Sequence, residues 1–234
     1  MTDSAPRRRA RQERSIRTER AILEAAGEVF DQYGYAAATL SMIMERAKSG
    51  EGVTKGALYH HFESKLDLAR VILERQVPMS TLPPQSSKVQ EAIDTSFGFV
   101  YLLQTDPLAR AGARLSTDGG LPPEIDGQST FNAWAEHGVN LLTQARDREQ
   151  MLPNVTPREA AETIVGSFIG IQLTSQAIDD RESLPRRVST LWQLILPGIA
   201  VPGLLPGLDF APDRLSRVGG LNLPATKPHS EPTP

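Results

Sequence analysis

Apolar residues along this chain cluster at three- and four-residue steps, the period of amphipathic helices rather than strands. From Arg17 to Tyr33 the stripe is Ile22, Ala25, Ala26, Val29, Phe30 and Tyr33, and Gly34 is a natural stop. Thr39 offers a hydroxyl N-cap to a second helix, Leu40 to Ala47, with Leu40, Ile43, Met44 and Ala47 on one face. Lys48 to Val53, carrying Gly50 and Gly52, reads as a turn. Thr54 then caps a brief third helix to about His60, and Ser64 caps a fourth with Leu66, Leu68, Ala69, Ile72 and Leu73 inside, ending near Pro78.

The stretch Ser80 to Ser87 contains Pro83 and Pro84 and little to bury, which marks a linker. Beyond it helical patterns run over Lys88–Gln104, Pro107–Thr117, Thr130–Glu149, Pro157–Asp179 and Leu184–Ile199. Thr156-Pro157-Arg158-Glu159 reads as a capping box, with a hydroxyl, a first-turn proline and a glutamate three residues on. After Ile199 come Pro202, Pro206, Pro212, Pro224, Pro228, Pro232 and Pro234, a composition unsuited to a packed helical core, with about the last 15 residues expected to be disordered. The expected fold is all-α. Residues 1–15 form a basic flexible arm, 16–79 a helix-turn-helix domain with a connecting helix, 80–200 a larger helical domain, and 201–234 a Pro-rich, partly disordered tail.

Charge sharpens this division. The net charge is −3, yet the first 20 residues hold seven Arg against three acids, a local +4 that leaves −7 on the remainder. A basic arm on an acidic body suits a phosphate-binding end joined to a domain with another task, although a solvated arm touching nothing has the same composition. The chain has no Cys, which excludes disulfides, Cys-based zinc sites and thiol nucleophiles and favours an intracellular setting. No stretch approaches the roughly 20 apolar residues of a membrane span, and the Arg-rich start is unlike a secretory signal, so the expected location is cytoplasmic, with no membrane partner.

Three short helices with a tight connection between the second and third make a helix-turn-helix, whose third helix enters the major groove. In Thr54-Lys55-Gly56-Ala57-Leu58-Tyr59-His60-His61-Phe62, Thr54 and Lys55 can meet phosphate or a base edge, Gly56 and Ala57 permit close approach, and Tyr59 and His60 can bind phosphate oxygens. Lys65, at the start of the next helix, is a further phosphate candidate, while Leu58 and Phe62 read as core. With Arg17 and Thr39 these residues complete the expected DNA-contact set.

Thr39 to Lys65, with this segment and Ser64-Lys65, resembles the DNA-binding signature of TetR-family repressors. Asp106-Pro107-Leu108-Ala109-Arg110-Ala111-Gly112, Phe131 to Trp134, Val165 to Gln172 and Leu191 to Pro197 resemble the gamma-butyrolactone receptor branch, and the resemblance covers about residues 11 to 200. It implies an all-helical homodimer that binds double-stranded operator DNA and is released by a small lactone or butenolide, controlling antibiotic biosynthesis. It needs no cofactor. Two departures stand out: Lys48 to Gly52 inserts about four residues in the turn, and His60 stands where Phe is more common.

The resemblance places ligand contacts at Gln76 and Trp134, with Leu115 added. Trp134 alone, without the resemblance, would read as core more readily than as pocket. Val165, Phe168, Ile169 and Gln172 share one face of a helix and can line the same cavity, Gln172 being equally a core amide or a dimer contact. Ser175, Leu191, Leu194 and Ile195 are the expected dimer contacts, though the last three also make an ordinary core stripe. His60 and His61 diverge on a helix and make a poor metal site. His137 with Glu136 and Ser116 with Asp118 lack a nucleophile motif, so no enzyme site emerges. The rival readings are a receptor-like regulator answering to an antibiotic or biosynthetic intermediate, a small-molecule-processing enzyme, and a DNA-bound structural protein.

Overall fold

Where the helical period is strongest, the elements form and end as their caps dictate. In the computed structural model, which describes residues 5–51, 53–75, 84–126 and 128–214, nine α-helices follow one another among those residues: α1 Ala5–Ala37, α2 Leu40–Glu51, α3 Lys55–His61, α4 Lys65–Glu74, α5 Lys88–Thr105, α6 Pro107–Leu115, α7 Gln128–Asp147, α8 Pro157–Asp179 and α9 Leu184–Ile199. The hydroxyls of Thr39, Thr54, Ser64 and Ser87 each accept a backbone N–H at the start of the next helix. Thr156 does not: it stands at the N-cap of α8 without a side-chain bond, so the expected capping box is not formed, and Pro157 alone presets the first turn.

Two expectations for the N-terminal end change. The basic arm is not an irregular lead-in, because α1 runs back to Ala5. Arg, Ala, Gln and Glu are strong helix formers, and the Arg9–Glu13 and Arg20–Glu24 pairs at i, i+4 add local support. The enlarged turn at Lys48 to Gly52 is largely helix, because α2 continues about one turn past Ala47 to Glu51, helped by the Ser49 hydroxyl donating to the Glu45 carbonyl. The insertion therefore lengthens a helix more than it enlarges a turn.

Two cores form. The first joins α1 to α4 through Ile22, Leu23, Ala26, Phe30, Ile43, Leu58, Phe62, Leu68 and Ile72, and it also takes Ala111 and Leu115 from α6. The second joins α5, α7, α8 and α9 through Val89, Ile93, Phe97, Leu103, Leu142, Phe168, Val188, Trp192 and Leu196, and takes Ala113 from α6. A cut near residue 80 thus assigns α6 to one side only, whereas its two faces serve both cores.

The start of the Pro-rich tail is packed onto the second core. Leu204, Leu205, Leu208 and Phe210 lie against it, and Met151 pairs with Ala200 in an isolated bridge. The anchor is polar: Arg214 Nε and Nη2 donate to the two oxygens of fully buried Asp94 at 2.9 and 3.1 Å, while Gln90 exchanges two hydrogen bonds with the Asp209 backbone. Proline content did not prevent this, because a short 3₁₀ turn at Leu205–Gly207 needs no long N–H ladder. The expectation of disorder in about the last 15 residues lies outside the described residues. Replacing Arg214 with Ala should strand the Asp94 carboxylate and cost roughly 3 kcal/mol in urea unfolding, and a wild-type midpoint would contradict the anchor.

Candidate functional site

The third helix displays a continuous polar face. Its inward side chains, Leu58 and the following Phe62, are buried at 0% and 4% exposure, which leaves Thr54, Lys55, Gly56, Tyr59 and His60 exposed. Tyr59 is 50% exposed despite its ring, and the Lys55 ammonium lies 5.9 Å from the centre of that ring, so the pair stands together on the solvent side. Thr54 Oγ1 accepts the Ala57 N–H at 3.3 Å and keeps its own proton to donate outward. A β-carbon on Gly56 would meet nothing within 4 Å among the described residues, so the helix surface at this position is open. Arg17 and Thr39 are exposed, the latter engaged as the α2 cap, and Ala57 is half-buried.

Lys65 stands elsewhere than expected. Its ammonium donates to the Tyr35 and Ala38 carbonyls, both at 2.8 Å, and sits 4.2 Å from the Tyr35 ring centre. Those carbonyls belong to the end of α1, where helices leave acceptors unpaired. Lys65 therefore rivets the head together instead of pointing at phosphate.

The helical body encloses a cavity of about 120 Å³, mostly apolar in lining. That is close to the roughly 150 Å³ of an apolar cavity known to admit benzene. Of the expected residues it brings together Trp134, Val165, Phe168, Ile169 and Gln172. Phe99 lies between Trp134 and Phe168 with its ring tilted to both, at ring-centre distances of 4.8 and 5.7 Å, forming an aromatic wall. Leu115 is not in the lining. It is fully buried in the first core, because α6 turns that face toward α1. Gln76 lies outside the described residues. Sequence reasoning did not assign the cavity Phe99, Ser116, Thr117, Trp192 or His137; α6 and α5 patterns look like ordinary core, and His137 drew notice only as a weak catalytic candidate.

The polar atoms of the lining are unequally occupied. Thr95, Ser116 and Thr117 donate to carbonyls of their own helices, and Ser96 Oγ accepts from Trp192 Nε1 at 2.8 Å. His137 Nε2 and Gln172 Oε1 are buried without a partner among the described residues. Burial also holds the His137 imidazole below the ordinary histidine range, with the Glu91 charge opposing in part.

On the other side of α6 is a seam of charges. Arg110 Nε donates to Asp31 Oδ2 at 2.9 Å, and Arg181 Nη2 donates to Asp31 Oδ1 at 3.3 Å. Arg181 is 2% exposed, held inward by a left-handed backbone at φ 70° after Asp180 at φ 49°, and Gln104 Nε2 donates to its carbonyl. Further along α1, Gly34 takes φ 71°, and a β-carbon there would lie 2.9 Å from Asp118 Oδ2, which accepts the Tyr35 N–H at 2.8 Å. At Gly27 a β-carbon would come within 3.0 Å of the Pro107 carbonyl oxygen, so α6 approaches α1 as closely as backbone allows.

The α8 and α9 helices keep an apolar outer face. Leu194 is 74% and Ile178 66% exposed, and Ile171, Thr174, Leu191 and Leu194 line a shallow groove between the two helices. Of the expected contacts, Leu191 and Leu194 lie there. Ile195 packs partly on the second core, and Ser175 is fully buried, its hydroxyl donating to Asp179, because it falls on the inner side of α8. Among the described residues no cluster of metal-ligating side chains occurs and no helix is long and apolar enough to cross a membrane.

Comparison with known proteins agrees with this geometry. The family model for bacterial regulatory proteins of the tetR family matches residues 22–72, and that for the tetracyclin repressor-like C-terminal domain matches residues 86–202. The chain is 38% identical over 196 residues to the A-factor receptor protein of Streptomyces griseus, covering 84% of this chain and 68% of that protein. It is similar to the structure of TylP, a TetR regulator from Streptomyces fradiae, with a TM-score of 0.76 and 35% identity over 88% of this chain and 97% of that one. A gamma-butyrolactone receptor, ArpA-like, matches with a TM-score of 0.67 and 30% identity, over 81% of this chain and 92% of that one.

The lowered His137 basicity has a testable sign. The unfolded chain takes up the proton first, so stability from this group is complete above about pH 6.5 and declines as pH falls through that value. Melting temperature should drop between pH 7.5 and 5.5, and His137→Leu should flatten part of that decline; an unchanged slope would contradict a buried neutral imidazole.

Proposed function

Since the chain belongs to the TetR family of bacterial regulatory proteins, we propose that it is a transcriptional repressor released from operator DNA by a small gamma-butyrolactone or butenolide-type signalling molecule, controlling antibiotic biosynthesis. It acts as a regulator, not an enzyme, in the cytoplasm, on the nucleoid when bound to DNA. The observation that carries the reading is that α6 and the turn after it wall the cavity, with Ala113 and then Ser116 and Thr117, while Ala111 and Leu115 of the same helix fill the core of the DNA-binding head.

A homodimer assembled on the exposed α8 and α9 face presents two α3 helices to successive major grooves, about 34 Å apart. Lys55, Tyr59, Thr54 and His60 contact phosphates and base edges, with Gly56 admitting the groove wall, and exposed arginines of α1, Arg17 among them, add salt-sensitive phosphate contacts. An effector lodged against Trp134 and Phe168 displaces the inner face of α6. Because α6 is joined to α1 at Gly27 and Asp31, and the turn after α6 at Asp118, the displacement reaches the head and changes the spacing of the recognition helices. The effector acts only through tighter binding to the DNA-incompetent arrangement, with a coupling of about 1 to 3 kcal/mol.

Lys55→Ala and Tyr59→Ala should each abolish operator retardation at concentrations where wild type is fully shifted, without lowering the melting temperature. Lys65→Met should do the reverse in kind, costing roughly 1 to 3 kcal/mol of stability by freeing two α1 carbonyls. Wild-type DNA affinity in both of the first two variants would overturn the recognition helix.

A further inference from the structure

The two unpartnered atoms of the cavity lie on different helices at different heights. α7 and α8 are joined by a short connection and run antiparallel, and a β-carbon on Gly138 would meet the Ala161 β-carbon at 3.1 Å, which sets their register. His137 is therefore level with the first turns of α8. Gln172 lies about 16 Å further along that helix, eleven residues beyond Ala161 at ~1.5 Å per residue.

Helical side chains lean toward their own N-terminus, so in an antiparallel pair His137 and Gln172 lean toward each other, narrowing the gap to on the order of 10 Å. Between them stand Trp134, Phe168 and Phe99. Gln172 is 2% exposed and its Oε1 lacks a donor among the described residues, an arrangement that is costly unless a bound group supplies one. Neither end carries a charged side chain of the lining, so an ionic effector would find no counter-charge.

We propose that the cavity selects a bipolar, uncharged effector, with His137 Nε2 donating to a carbonyl at one end, Gln172 Oε1 accepting a hydroxyl at the other, and the aromatic wall gripping an apolar chain between. This rests on the lactone reading above and adds to it the two residues, His137 and Gln172, that read the polar ends of the effector and so determine its specificity. The imidazole serves as a hydrogen-bonding group in its neutral form, for which its burial is suited.

The test is calorimetric titration of the full-length protein with two probes, a gamma-butyrolactone bearing a hydroxyalkyl tail and the same lactone with a plain alkyl tail. Wild type should prefer the hydroxylated probe about tenfold, the worth of one satisfied buried acceptor. Gln172→Leu should erase that preference while binding the alkyl lactone as wild type does, and His137→Leu should weaken both probes about tenfold. Both variants replace an unpaired polar group with an apolar one, so each should melt no lower than wild type at pH 7.5. Equal binding of the two probes by wild type, or a preference that survives Gln172→Leu, would overturn the proposal while leaving the lactone reading standing. Failure of both lactones to bind wild type at all would overturn both readings.

Discussion

The Asp31 carboxylate holds the molecule together at the place where its two halves meet. It lies on α1, in the DNA-binding head, yet its two oxygens are taken by Arg110 of α6 and by Arg181 of the α8–α9 connection. Arg181 is almost wholly buried, and a buried guanidinium is tolerated only beside an opposite charge. The head, the cavity wall and the end of α8 are therefore tied to one residue. Close backbone contact at Gly27 and the Asp118 bond to Tyr35 make the same seam stiff along its length.

That seam explains why α6 matters more than its nine residues suggest. Ala111 and Leu115 serve one core and Ala113 the other, and Ser116 and Thr117, just past its end, line the cavity. Close-packed interiors transmit displacement because they do not yield continuously. The cavity of about 120 Å³, lined by Trp134, Phe168 and Ala113 of α6, thus shares one wall with the head. The polar interior of the body serves a different end: Asp94, Arg214 and Gln90 bind the start of the C-terminal segment over the second core and keep the far side of the bundle closed.

Much of this was legible in the chain. Helical periodicity and hydroxyl caps located nearly every helix, and the bounds of α8 and α9 were met residue for residue, since strong apolar stripes and prolines at the first turn leave little freedom. The exposed face of α3 and the cavity position of Trp134 and Phe168 were also anticipated, by local pattern and by resemblance. What failed depended on tertiary partners. Leu115 and Ser175 each sit on a helix whose period is right but whose facing neighbour periodicity cannot name. Lys65 finds two carbonyls from 27 and 30 residues earlier, a contact that no local window contains. The proline-rich start of the tail is ordered by Asp94, more than a hundred residues away, and the orphan atoms of His137 and Gln172 become visible only once every competing partner has been located.

The central claim is that cavity and recognition helix are two ends of one equilibrium. Linkage requires the coupling to be reciprocal. The direct measurement is the affinity of the wild-type protein for a hydroxyalkyl gamma-butyrolactone, determined once for the free protein and once for the protein saturated with operator DNA. The structure predicts weaker lactone binding to the DNA complex, by about 5- to 150-fold, and by the same factor through which saturating lactone weakens the operator. Equal lactone affinity with and without operator would contradict it, because a ligand indifferent to the DNA-bound state cannot release the repressor.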